Sequence, residues 1–99
     1  MIAELPGRAA FFDCLHSNFL VLNVQPGPIE LELVAVSELQ QSARQQSFSI
    51  IFRGPSDLRM PQHIYRLSHP QLGELELFLV PVGRQEQGYE YEAVFNHLV

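Results

Sequence analysis

The chain contains no lysine; its six side-chain cations are arginines, at positions 8, 44, 53, 59, 66 and 84. Set against eleven carboxylates they leave a net charge of −5. A nucleic-acid partner needs several cations gathered on one face to displace counterions from phosphates, and these arginines form no basic stripe. The same scatter argues against adhesion to anionic membranes. Charged residues are 17% of the chain, against a usual figure of about 25%, and glutamine takes up much of the polar surface instead. One cysteine, Cys14, excludes an internal disulfide. No apolar run approaches the ~18 residues that a membrane-spanning helix requires, and no charged segment leads into an apolar stretch of signal-peptide type. The expected location is therefore the cytoplasm. Phosphate-cradling patterns of the GxxxxGK or GxGxxG kind are absent, as are CxxC and HxxxH pairs, so no cofactor and no metal are implied.

What is present is apolar material arranged at a period of two. The apolar fraction of 46% in 99 residues suffices for one core, and the expected organisation is a single β domain over 1–99. Residues 1–7 read as a lead-in ending in a Pro-Gly turn, and 8–15 (RAAFFDCL) as a short helix lying across one mouth of a barrel. Phe19 and Val21 share a face of the next segment, with Leu20 and Leu22 opposite. Gln25-Pro26-Gly27-Pro28 is a turn, because proline presets φ and glycine tolerates positive φ. Ile29-Glu30-Leu31-Glu32-Leu33 alternates strictly, then Val34 and Val36 continue out of phase, which is the signature of a β-bulge. Residues 37–46 read as a loop or frayed hairpin. Strands follow with Phe48, Ile50 and Phe52 on one face, then Tyr65 and Leu67, then Leu75, Leu77 and Leu79. Pro81 ends that last strand or places it at a sheet edge, and 83–88 form a surface turn. Tyr89, Tyr91, Ala93 and Phe95 alternate with Glu90, Glu92, Val94 and Asn96 in the closing strand. Turn signals at roughly ten-residue spacing indicate an all-β fold, a small barrel or sandwich of about six mainly antiparallel strands with one short N-terminal helix.

Residues that could carry chemistry have plainer readings. Cys14 and His16 stand at i, i+2 and could face the same way in a strand as nucleophile and base, but a buried cysteine is commonly a small hydrophobe. His63, His69 and His97 are isolated near strand ends, and His69-Pro70 reads as a turn or rim residue rather than a base. Glu30/Glu32, Glu74/Glu76 and Glu90/Glu92 evoke a glycosidase pair. Their alternation with core residues sends them to the solvated face instead, where they discourage edge-to-edge pairing. No catalytic residues are assigned, and the expected protein is not an enzyme.

An interaction surface is the stronger reading. Arg53 and Arg66 sit in strands otherwise built of core residues, Tyr65 adjoins one of them, and arginine with tyrosine on a sheet face makes a typical contact patch. The run 77–82 (LFLVPV) is apolar on both faces, so Phe78 and Val80 need cover from the helix, a second sheet or another chain. The candidate interaction residues are thus Arg53, Tyr65, Arg66, Phe78 and Val80, with a protein partner or a homo-oligomer expected.

The segments FSIIFRGP (48–55), PQHIYRLSHP (61–70), Leu72-Gly73, LFLVPVG (77–83) and YEAVFN (91–96) resemble the signature of an uncharacterised family of short bacterial all-β domains. The resemblance covers the C-terminal half, with Phe11 and Phe19-Leu20-Val21 fitting loosely before it. It implies the β fold and, for some members, a place near phage-tail-like genes. Three functions are carried forward in order: a non-enzymatic interaction or assembly domain, a barrel binding a small ligand in a cavity lined by Phe48, Phe52, Tyr65 and Phe78, and a hydrolase using Cys14.

Overall fold

A computed structural model describes residues 6–25 and 27–98. The lead-in at 1–5 and Pro26 of the first turn lie outside the described residues. Helix α1 (Arg8–Asp13) is followed by strands β1 (Asn18–Val21), β2 (Ile29–Val36), β3 (Gln40–Gln41), β4 (Gln45–Arg53), β5 (His63–His69), β6 (Gly73–Gln85) and β7 (Gly88–Leu98). The sheet order is β2-β1-β5-β6-β7-β4-β3, with β2 also paired to β4. That extra pairing closes six strands into a ring, β1-β2-β4-β7-β6-β5, with every pairing antiparallel. The barrel, rather than the sandwich, is the architecture, and closure leaves the six strands without a long open edge.

The period-two rhythm places the inward side chains as expected. Phe19, Val21, Leu31, Leu33, Ile50, Phe52, Leu67, Leu79 and Tyr91 have no measurable exposure, and a ring of six strands is narrow enough for them to fill it. The bulge expected after Leu33 is present: Leu33 pairs Phe52 while Ala35 pairs Ile51, so Val34 is the extra residue.

Three elements differ from the sequence expectation: the end of α1, the end of β6 and the turn after it. Helix α1 stops at Asp13 because Cys14 and Leu15 bond back three residues, and the chain then joins β2: His16 N–H donates to the Leu33 carbonyl at 2.7 Å and Leu33 N–H to that of Ser17 at 3.0 Å. His16 makes the corner at φ 69°, a left-handed conformation in which histidine is enriched among non-glycine residues. Of the two expected readings of 37–46, the hairpin holds, with β3 rungs Gln40–Ser47 and Gln41–Gln46. Strand β6 does not end at Pro81. It runs on to Gln85, with a bulge between Pro81 and Gly83. Pairing to β5 stops at Leu79, so Pro81 lies where β6 has become an edge on that side and its missing N–H costs no ladder bond there. The expected 83–88 turn shrinks to Glu86-Gln87 at the tip of the β6–β7 ribbon.

The two mouths are closed differently. At one, Phe11 of α1 is fully buried against Phe48 and Phe95, ring centroids 6.3 and 5.3 Å away. At the other, the 54–62 loop brings in Met60, which is 3% exposed. Its N–H donates to Tyr91 Oη at 2.8 Å.

Candidate functional site

The five residues expected to form one patch are distributed by the barrel over three places. Tyr65 points inward and is 3% exposed, with its hydroxyl donating to the Pro61 carbonyl. Successive residues of a strand face opposite ways, so it cannot share a surface with Arg66. Arg53 lies on β4, three strands from β5 in either direction round the ring of six. There it donates from Nη2 to Glu90 Oε2 at 3.0 Å, and its buried Nε has no partner among the described residues. Arg66, Phe78 and Val80 do come together, on the outer face of β5 and β6.

That face carries a row of exposed apolar side chains. Ile64 and Phe78 are directly opposite in the β5–β6 register and are 55% and 50% exposed. The next pair along is Arg66 and Glu76, with Glu74 Oε1 at 3.6 Å from Arg66 Nε. Val80 continues the row on β6 opposite Glu92 of β7. Val82 at the bulge and Val94 on β7 are further exposed apolar side chains. Ile64 and Val94 are not among the candidate interaction residues read from the sequence, although each stands at an outward position next to an inward core residue, Tyr65 and Ala93. The apolar row therefore has a charged border of Arg66, Glu74, Glu76 and Glu92, which is how interaction surfaces are commonly built. The paired glutamates elsewhere also face outward as expected: Glu30 accepts from Asn18 Nδ2 at 3.1 Å and Glu32 lies 3.5 Å from His16 Nδ1.

The sequence-level catalytic candidates are pulled apart. Cys14 is 3% exposed, burial pushes its thiol up, and the neighbouring Asp13 charge pushes it further. An elevated thiol is a poor source of thiolate. His16 is exposed at the corner and turns to Glu32. Phe48, Phe52, Tyr65 and Phe78 enclose no cavity: Phe52 and Tyr65 pack inside, Phe48 stacks on Phe95, and Phe78 is outside. Among the described residues no three His, Cys, Asp or Glu side chains stand close enough to share a metal ion. Among them, too, no helix is long and apolar enough to cross a membrane.

Sequence reading missed one pairing. His69 is the last residue of β5 and is buried, 5% exposed, rather than standing on a rim. Its ring lies 4.4 Å from that of Phe19, and its Nε2 is 2.8 Å from Ser17 Oγ. A serine–histidine contact invites a nucleophile–base reading, but the hydrogen bonds assign the proton the other way. Nδ1 accepts from the N–H groups of Gln71 and Leu72 at 3.1 and 3.3 Å, so the ring proton sits on Nε2 and is donated to Ser17. Ser17 in turn donates to the Cys14 carbonyl. The imidazole has no lone pair free for the serine; it ties the β5–β6 turn to the corner after α1. Fifty-two residues separate the two, and no local pattern signals such a pair.

Burial holds the His69 imidazole below its ordinary value of 6.5. The unfolded chain therefore takes up the proton first as pH falls. Stability from this group is complete above about pH 6.5 and declines below it, until the folded-state histidine also titrates. Urea unfolding at pH 7.5 and 5.5 should show the loss, and His69→Gln should flatten that part of the pH dependence while lowering stability throughout. An unchanged slope in the variant would remove His69 as its source.

The barrel closed by α1, with its outer row on β5 and β6, spans the same stretch as a known family. Residues 6–95 match the family described as a domain of unknown function, DUF6916. The chain belongs to this family. No curated protein and no solved structure matches it. Membership in the DUF6916 family agrees with the resemblance in its coarser part, an uncharacterised domain family, and takes in α1 and β1, where the resemblance fitted only loosely.

Proposed function

We propose that this barrel is a non-catalytic interaction domain that joins a larger assembly through the outer face of β5 and β6. The observation that carries the reading is the opposed pair Ile64 and Phe78, both about half exposed, in a row continued by Val80. Exposed apolar residues gathered in this way are uncommon on a monomer's surface without a partner. Filling of the barrel interior by side chains supports the same reading. The resemblance adds a setting, a bacterial host and an accessory role in a phage-tail-like particle, with either a second copy or another protein of that particle as partner. The cytoplasmic location proposed with it comes from the sequence's lack of signal-type runs.

The test is Phe78→Glu. Because Phe78 faces water, the variant should keep its thermal midpoint within a few degrees. Sedimentation over a wide concentration range, with pull-down from the native host, should show wild-type association reduced at least tenfold. Arg53→Ala, on the far side of the barrel, should leave association unchanged. A wild-type chain that stays monomeric throughout and retains no partner overturns the proposal, as does undiminished association of the Phe78→Glu variant.

A further inference from the structure

The mouth closed by the 54–62 loop carries an open cleft of about 370 Å³ between the end of β1 and that loop. Its floor is apolar and buried, made by Ile29, Met60 and Tyr65. Hydrogen bonds hold its walls in place before any ligand arrives. Tyr65 Oη donates to the Pro61 carbonyl, and Met60 N–H donates to Tyr91 Oη. Asn23 extends the β1–β5 ladder with its side chain, accepting from Arg66 N–H at 2.7 Å and donating to the Ile64 carbonyl at 3.3 Å. These groups are occupied, which leaves Arg59, His63 and the Gln25 amide in the lining with polar atoms to offer. No aspartate or glutamate lines the cleft, and among the described residues Arg59 has no carboxylate within ion-pair distance. In a chain of net charge −5, the formal charge of this cleft is positive.

We propose that the cleft binds a small amphipathic carboxylate, its apolar body on Ile29, Met60 and Tyr65 and its headgroup on Arg59. A guanidinium meets a carboxylate through two parallel N–H donors. A single guanidinium, with no second cation lining the cleft, suits a monoanion better than a doubly charged phosphate ester. The volume corresponds to roughly a dozen waters at ~30 Å³ each, room for a chain of about six carbons or a single ring. Barrel mouths lined by apolar groups with a few convergent polar ones are frequent ligand sites. This site is separate from the β5–β6 face, so either can fail without the other.

Titration of the isotope-labelled protein with hexanoate, hexanol and hexylamine, followed by amide shifts, tests the proposal. Hexanoate should give saturable shifts confined to residues 23–25 and 58–65, hexanol weaker ones, and hexylamine none. Arg59 is exposed, so Arg59→Gln should keep a folded spectrum and weaken hexanoate about tenfold, the ~1.4 kcal/mol of one charge-assisted contact. Arg84→Gln, on the β6–β7 ribbon, should change nothing. Absence of saturable shifts at those amides, equal binding of hexylamine, or full hexanoate affinity in a folded Arg59→Gln variant overturns the assignment; the amine comparison needs no mutation.

Discussion

Gly88→Ala is expected to destabilise the barrel by more than about 4 kcal/mol, enough to prevent folding at ordinary temperatures in a domain of this size. An added Cβ at position 88 would sit 1.8 Å from the Gly54 carbonyl oxygen and 3.0 Å from its carbon. Gly88 also holds φ at +150°, a region that is essentially reserved for glycine. Neither backbone can step aside. Gly54 N–H is bonded to the Tyr89 carbonyl at 2.9 Å, and Gly54 itself sits against Leu31 in the core. The matched control is Gly73→Ala. Gly73 has φ +74° but open space around its Cβ direction, so only the left-handed penalty applies, about 1–2 kcal/mol. Urea unfolding of the two variants should separate them clearly. A Gly88→Ala variant as stable as Gly73→Ala would mean that the close approach of β7 to the 54 turn is wrong.

The second large effect concerns the Phe11-Phe12 doublet. Phe11→Ala should cost about 3–5 kcal/mol, the range for a fully buried phenylalanine. In a chain of this length that lowers the melting midpoint by roughly 4–8 °C per kcal/mol. Phe11 closes a cluster in which Phe48 and Phe95 stack at 4.8 Å, and a helix of six residues has too few turns to hold itself without that anchor. Its neighbour Phe12 is 50% exposed beneath the Arg8 guanidinium, and Phe12→Ala should shift stability by no more than about 0.5 kcal/mol. Thermal unfolding followed by far-ultraviolet dichroism reads both. Equal effects would show that α1 does not plug the mouth through Phe11.

The strands were legible because a half-buried strand must alternate, and the alternation is unambiguous at Glu74–Leu77 and Ile29–Leu33. Even the bulge at Val34 could be read, since an inserted residue shifts the phase of every apolar side chain after it. Pro81 was legible only in half. A proline signals an edge, but whether the strand stops depends on which neighbour has already left, and that neighbour is β5, joined to β6 through a separate turn. The candidate interaction residues show the same boundary. Phe78 and Val80 were found because an apolar outward position is visible in the alternation. Arg53 and Arg66 looked equivalent, yet the ring sets them on opposite sides, and Tyr65 was grouped with its sequence neighbour although adjacent strand residues point apart.

By itself the order of residues determined which side chains face in, where the chain turns and where a register slips, because those are properties of a strand and its immediate neighbours. Closure through β2 and β4, the choice between Phe11 and Phe12, the bond from His69 to Ser17 and the cleft at Arg59 were decided only in three dimensions. Each joins residues far apart in the chain, and a side chain's local pattern carries no record of which distant strand will come to lie beside it.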